Sequence, residues 1–509
     1  MSLIITFWTR FWRLSFYPPA LFSDEVDAGY QAMVFNRYST DYFGNKFPVH
    51  FRSLSDWRTS LYIYFIALLQ KLGVNPTLSV RLPSAIFSLF CFFLLYLISR
   101  SIYLPILWSV SPWAIHYSRT GFEVVGMTLV VLLALYFWQQ RRYFFSIFFL
   151  CLSPYFYITA KLFLPLIFLL FFIFFPQKFN RSRIFFLSLF LLFCLFPLIK
   201  DPLLGRSSYR FSYISIFTMP HREQITDQLR YQDILPEHKN EIGVKTPLLS
   251  FILHNRYQLV IQKFITNYLS SFSPQFLFLT GDSNLRHGFG GHGLLYFIDF
   301  FFLLYGLFLF VTSPRPSSLG RFFIFLFFLA PLPFSLTRDS DSAHATRLFL
   351  MILPLLYFIS LTLKRHPWMV LFYPFLFLNF WHYYLKHYPQ SSASSWNSGV
   401  KETLLTALSY HRPVYFSNYY DSFLPFYLFY TQSPLPQFAR FDTDYFNGLS
   451  VGAYYFGHIN FAHLPQNLPP SLFVISLPEI NSLPASLHLV NKIPKDYQMA
   501  QDFFIYGNL

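Results

Sequence analysis

Charge in this chain is concentrated in and beside the gaps between long apolar runs, and acids enter only every second gap. That pattern constrains the fold more than any motif does. A bilayer-spanning helix needs roughly 17–25 mostly apolar residues. Apolar runs near that length fall at 82–99, 102–117, 121–138, 143–158, 161–176, 184–200, 293–312, 321–337, 347–363 and 367–385. Only 12% of the 509 residues are charged, where a soluble domain carries about a quarter. Lipid accommodates so many apolar runs better than a soluble core would.

The two kinds of gap differ in sign. Ser99-Arg100-Ser101, Arg141-Arg142, 178–183, 315–321 and Lys364-Arg365-His366 are short, basic and free of acid. The positive-inside rule assigns them to the cytoplasm. The other set is 22–60, 117–123, the turn near Lys161, 201–291, 338–347 and everything after 386. It holds the acids, with Asp299 one or two turns into the following helix. The alternation closes through ten helices. The N-terminal run carries Arg10 and Arg13 inside it, so an eleventh span there is either tilted, interfacial or shortened. No small-residue cleavage site follows it, and no cleavable signal peptide is expected.

The net charge of +15 raises nucleic-acid binding as one reading. The Lys and Arg residues cluster between apolar runs, however, so orientation signals explain the surplus better. Cys91, Cys151 and Cys194 all lie inside apolar runs and form no metal motif or disulfide framework. The sequence contains no Walker pattern and no Rossmann fingerprint. That argues against a nucleotide-driven transporter and against a Rossmann-type nucleotide-sugar enzyme.

The expected fold is an α-helical polytopic membrane protein with 10–11 transmembrane helices over 1–386, including outer loops at 22–60 and 201–291. A soluble α/β domain is expected over 387–509, outside the cell membrane with the active site. There the apolar runs stop and Pro, Ser, Asn and His rise. Residues 400–410 read as a helix, and 413–418, 472–477 and 503–506 as strands.

The first outer loop is the richest in chemistry. It holds Asp24, Glu25, Asp27, Asp41, Lys46, Arg52, Asp56 and Arg58. Adjacent carboxylates at a membrane surface disfavour each other's charged form, which suits a general base. Acids at a helix N-terminus would look the same in sequence. Arg58, Arg119 and Lys161 fall at outer helix ends, as phosphate ligands or as snorkelling side chains. The polar, Gly-rich segment 278–293 offers Asp282, Arg286 and His287 to a sugar pocket, or is a structural turn. His287 and His292 leave a divalent metal open, with no diagnostic spacing. The turn 338–347 adds His344 and Arg347.

An ordered set of residues goes further. The Asp24-Glu25 pair is followed by Thr40-Asp41-Tyr42-Phe43-Gly44, Pro48, Leu61-Tyr62-Ile63-Tyr64, Leu72-Gly73 and Val80-Arg81-Leu82-Pro83-Ser84. The turn from Ser118-Arg119 to Glu123, the loop 281–293 and the turn Ala343-His344-Ala345-Thr346-Arg347 complete it. The set resembles the GT-C membrane glycosyltransferases, in particular the protein O-mannosyltransferase and lipid A aminoarabinose transferase group. The resemblance covers nearly the whole chain and implies inverting transfer from a polyprenyl-phosphate sugar to a lipid, glycan or protein hydroxyl. It implies Asp24 as the base, with Glu25 and Glu123 as further catalytic carboxylates. Arg58, Arg119, Lys161 and Arg347 would bind the donor phosphate. Asp56, Asp282, Arg286, His287 and His344 would line the substrate pocket. The Glu-Lys-Pro of the aminoarabinose transferases is replaced here by Ser55-Asp56-Trp57-Arg58. No cofactor is assigned and no nucleic acid is expected, while membrane lipids are partners by necessity. A transporter or flippase of lipid-linked glycans is the competing reading; it calls for polar groups deep in the helices and for related halves, and neither is evident. A non-catalytic scaffold whose tail binds glycan is the third.

Overall fold

Apolar runs with no internal charge satisfy their backbone only within themselves, so they become helices. The computed structural model describes residues 1–54, 57–175, 181–204, 214–234, 246–338, 343–433, 448–461, 469–493 and 502–508. Each of the ten expected runs is helical within it. The first helices are α1 (Ser2–Phe11), α2 (Ser23–Tyr38), α3 (Ser60–Lys71) and α4 (Pro76–Ser99). After them come α5 (Tyr103–Val110), α6 (Pro112–Ser118), α7 (Val124–Gln139), α8 (Tyr143–Phe156), α9 (Ala160–Phe174) and α10 (Arg181–Leu204).

The run at 102–117 is broken: α5 ends at Val110 and Pro112 opens α6. A proline cannot donate the backbone hydrogen bond that a continuous helix needs there. Among the described residues, Pro76–Ser99, Ser318–Ser335 and Ala345–Arg365 are long and apolar enough to cross a membrane. Five further apolar helices are shorter, among them α7, α8 and α9. On α10 the side chains of Phe186, Leu189, Phe193 and Phe196 are exposed. An apolar face this large is what a membrane protein presents to lipid.

The N-terminus departs from the interfacial reading. Arg10 is fully buried. Its guanidinium donates to the carbonyls of Trp108 and Ser109, each at 2.6 Å, and to Thr9 Oγ1 at 2.7 Å. Carbonyls freed at the α5–α6 break thus take up a charge that a sequence reading would send to the surface.

The outer loop after α2 pairs β1 (His50–Arg52) with β2 (Trp57–Thr59) in antiparallel register. Asp41 organises its approach, accepting the backbone N–H groups of Phe43, Asn45 and Arg52. The stretch 201–291 contributes the helices Arg222–Ile234, Leu248–Leu253 and Arg256–Ser270.

Beyond residue 387 the chain forms a helix, Val400–Ser409, and a six-stranded sheet. The strands are β3 (Val414–Ser417), β4 (Leu449–Val451), β5 (Tyr454–Gly457), β6 (Leu472–Ser476), β7 (His488–Ile493) and β8 (Phe503–Gly507). Their order is β4-β5-β3-β6-β8-β7, with β3 parallel to both β5 and β6 and the remaining pairs antiparallel. Strand residues alternate faces. Val414, Phe416, Leu472 and Val474 pack with the helices, whereas Phe473, Ile475 and Phe504 form a second, small core on the far face.

One buried core runs without interruption from α2 and α4 into this sheet. A helix at Phe423–Thr431, hereafter the docking helix, carries that continuity. Ser422 caps its start by accepting the Leu424 N–H. Its far end is tied to α2 by Tyr30, which donates to the Ser433 carbonyl at 3.2 Å.

Candidate active site

The Asp24-Glu25 pair sits in the first turn of α2, and the two carboxylates point to different environments. Glu25 is buried with its charge matched. Arg81 grips it from α4 with Nε and Nη2, each at 3.0 Å, and the Gly121 N–H donates to it at 2.7 Å. Glu25 also reaches back to accept the Phe22 N–H at 3.4 Å, at the start of α2. Arg81 additionally donates to the carbonyls of Pro18 and Ala20, which fixes the chain entering α2.

Asp24 is the open member. Its side chain is 59% exposed, and Arg58 Nη2 meets it at 2.7 Å. Arg58 is anchored from behind by Asp27, whose carboxylate accepts its Nε at 2.5 Å. Asp27 is buried and also accepts Tyr42 Oη and Ser53 Oγ. The guanidinium is therefore oriented by a carboxylate that takes three donors, and its Nη2 is turned to Asp24. Burial alone would pull the Arg58 pKa down; Asp24, Asp27 and Glu123 more than reverse that, and it stays charged.

Asp24, Asp27, Ser53 and Arg58 form one wall of a cleft of about 270 Å³. The opposite wall comes from the C-terminal region: Asn418, Tyr420, Asp421 and Ser422, between β3 and the docking helix, with Pro425 inside it. The sequence reading assigned no role to Asp27, Asn418 or Asp421. Asp27 stood in a run of acids with nothing to rank it. Asn418 and Asp421 lie almost 400 residues from Asp24, a separation that no local pattern bridges.

Other expected site residues lie elsewhere. Arg119 does not line the cleft; it is fully buried and donates to the carbonyls of Thr9, Trp12 and Arg13 at the end of α1. Its bonds hold α1 in place, where the sequence reading has them on a phosphate. Lys161 lies 3.4 Å from His50 Nε2, and Glu123 precedes α7, close enough to Arg58 to act on its charge. Asp56 lies outside the described residues.

Asp282, Arg286, His287, His344 and Arg347 form a second cluster. Asp282 is buried and accepts the backbone N–H groups of Asn284 and Ala345 at 2.9 and 2.8 Å, tying the loop 281–293 to the turn at 343–347. Burial pushes its carboxyl up to about 6, against those two N–H groups and Arg347, which pull it down. It also borders a separate cavity of about 510 Å³ with Gln275, Phe276 and Thr280. The His287 and His344 rings lie 4.6 Å apart, tilted by 35°, and His287 Nδ1 meets Thr346 Oγ1 at 3.0 Å. Burial, then the charge of Arg286, push the His287 imidazole down to about 3, so it is neutral. Among the described residues no three His, Cys, Asp or Glu side chains are grouped to hold a metal ion.

An aromatic wall joins the two clusters. Arg286 lies over the Phe22 ring at 5.2 Å, and His287 packs on Phe122 at 5.2 Å. Phe22 and Phe122 touch at 5.8 Å, and Phe22 immediately precedes α2. His116 supports this wall. One of its ring nitrogens meets Tyr384 Oη at 3.1 Å, and the other meets the Arg286 carbonyl at 2.8 Å. A carbonyl only accepts, so Nε2 carries the proton and Nδ1 accepts from the tyrosine.

No family model and no curated protein matches this chain. Among solved structures it is similar to the crystal structure of ArnT from Cupriavidus metallidurans bound to undecaprenyl phosphate. That comparison gives a TM-score of 0.43 and 11% identity over 100% of this chain and 96% of the other. The apo state of the same protein gives 0.43 and 13% over the same shares. At such identity no site residue is carried across.

Proposed function

We propose that this chain is an inverting membrane glycosyltransferase that moves a hexose or pentose from a polyprenyl-phosphate donor to an acceptor hydroxyl. The observation that carries the reading is the Asp24–Arg58 pair at the mouth of a polar cleft. An exposed carboxylate beside a fixed guanidinium pairs a proton acceptor with an anion ligand. The apolar helices beneath supply a path for a lipid tail, and the ordered sequence resemblance to GT-C enzymes points the same way.

Each residue then has one task. The donor phosphate takes the Arg58 Nη2 edge, competing with Asp24 for it and releasing that carboxylate. Asp24 accepts the proton of the acceptor hydroxyl as its oxygen bonds to the anomeric carbon. The anomeric C–O bond to phosphate breaks on the opposite face, so configuration inverts. The polyprenyl phosphate leaves with added negative charge, which Arg58 neutralises in a site already oriented by Asp27. Arg286 and Arg347, across the aromatic wall, are the reserve of positive charge. Glu25 acts by holding α2 and with it Asp24. The active side faces away from the cytoplasm in the plasma membrane, as the charge alternation implies.

The test is transfer from a panel of radiolabelled polyprenyl-phosphate sugars in membranes holding wild type or Asp24→Asn. Transfer by wild type alone is the expected result. Equal transfer by both removes Asp24 from the chemistry, and no transfer from any donor to lipid, glycan or protein fractions overturns the reading.

A further inference from the structure

We infer that the loop 418–422 of the C-terminal region binds the hydroxyl groups of the sugar being transferred, with Asn418 as the residue that selects it. This rests on the glycosyltransferase reading of the same cleft.

The argument starts from an unsatisfied atom. Asn418 Oδ1 is shielded from solvent and has no hydrogen-bond partner among the described residues. Buried polar atoms are normally paired; Asn418 lines the cleft, and a rotation of its amide brings the orphan oxygen to a hydroxyl that arrives with the ligand. Its backbone is fixed, because the Asn418 N–H donates to the Gly457 carbonyl at 3.1 Å across the sheet. Asp421, also on this wall, is held as well. It accepts the Ser422 N–H at 2.8 Å through Oδ1 and Asn397 Nδ2 at 3.1 Å through Oδ2. Each carboxylate oxygen keeps a further acceptor position. An amide oxygen and a held carboxylate along one short loop suit neighbouring hydroxyls, which donate.

Position and size decide which hydroxyls. Arg58 lies on the facing wall. A phosphate bound there puts the group esterified to it, the transferred sugar, into the space between the walls. The cleft of about 270 Å³ is at or below the ~300–1,000 Å³ typical of small-molecule sites. That is room for about one sugar ring.

The experiment compares lipids with and without the sugar. Full-length wild type, Asn418→Ala and Asp421→Asn in nanodiscs are titrated with undecaprenyl phosphate and with its mannose, glucose and aminoarabinose derivatives. Wild type should prefer one sugar-bearing lipid over bare undecaprenyl phosphate. Asn418→Ala should weaken that lipid at least tenfold and leave the bare lipid within twofold, which also shows that the variant is folded. Equal loss on both lipids, or loss on neither, overturns the inference. So does a rise in acceptor KM with both lipid affinities unchanged, which would assign the loop to the acceptor. If wild type binds bare and sugar-bearing lipids equally, this inference alone fails; if it binds none of them, the glycosyltransferase reading fails with it.

Discussion

Gly29 on α2 lies so close to Phe429 of the docking helix that a Cβ there would come within 2.5 Å of the phenylalanine Cε2. The same Cβ would meet Val80 Cγ2 at 2.9 Å. Gly29 lies five positions after Asp24 on one helix, and Phe429 lies seven after Ser422 in the cleft. The contact therefore sets the distance between the two cleft walls.

Gly29→Ala should push the docking helix outward. Overpacking of this kind costs about 1–3 kcal/mol, and the expected reading is a lower thermal midpoint together with reduced transfer. Phe429→Leu in the same chain should restore both by removing the ring edge. A double variant no better than Gly29→Ala would mean that the contact does not govern the cleft.

Asp24 and Glu25 should fail in different ways when neutralised. Asp24→Asn should fold normally, bind donor lipid and lose roughly 10²–10⁴-fold in turnover, the usual contribution of a general base. Glu25→Gln leaves Arg81 buried without its counter-charge. Breaking such a pair costs about 3–5 kcal/mol, so yield and thermal midpoint should drop while the folded fraction keeps its turnover. A stable Glu25→Gln protein with no turnover would return Glu25 to the chemistry.

Much of this was legible in the sequence. The helices of the ten apolar runs followed from run length, whereas α2, α3 and the helices within 201–291 did not; 400–410, 413–418, 472–477 and 503–506 all carry the expected helix or strands. Asp24 and Arg58 were legible as an acid and a base on one outer loop. What sequence did not show was which charges turn inward. Arg10, Arg81 and Arg119 are all fully buried: carbonyls at the Pro112 break and at the end of α1 hold Arg10 and Arg119 as water would, and Glu25 with the carbonyls of Pro18 and Ala20 holds Arg81. Those acceptors come from distant parts of the chain and leave no local mark. The cleft's second wall was hidden for a related reason: Asn418 and Asp421 sit in ordinary loop sequence and gain their place only through the docking helix.

Arg58 should tolerate lysine poorly. A guanidinium meets Asp24 and Asp27 with different nitrogens and still presents an edge to phosphate, whereas an ammonium is a single point charge. Arg58→Lys is expected to raise donor KM at least tenfold, about 1.4 kcal/mol. Asp27→Asn, which keeps the shape but loses the charge behind Arg58, should raise it in the same direction. An unchanged donor KM in Arg58→Lys would move the phosphate site to Arg286 or Arg347.

Asp282 gives the protein a pH dependence of defined sign. Its carboxyl titrates near 6 in the folded chain and near 4 in an unfolded one. Between those values the folded state holds a proton that the unfolded state has released. Stability therefore falls as pH rises through this window, by at most ~1.4 kcal/mol per pH unit. Below about 4 the cost is absent, and above about 6 it is complete and flat. Thermal midpoints of the purified protein at pH 4, 5, 6 and 7 should show that decline against an Asp282→Asn control, whose amide cannot ionise. The amide also cannot accept both the Asn284 and Ala345 N–H groups, so the control should be less stable throughout and differ in slope only between pH 4 and 6. Parallel curves for the two proteins would mean that the Asp282 carboxyl does not take up a proton between pH 4 and 6 in the folded chain.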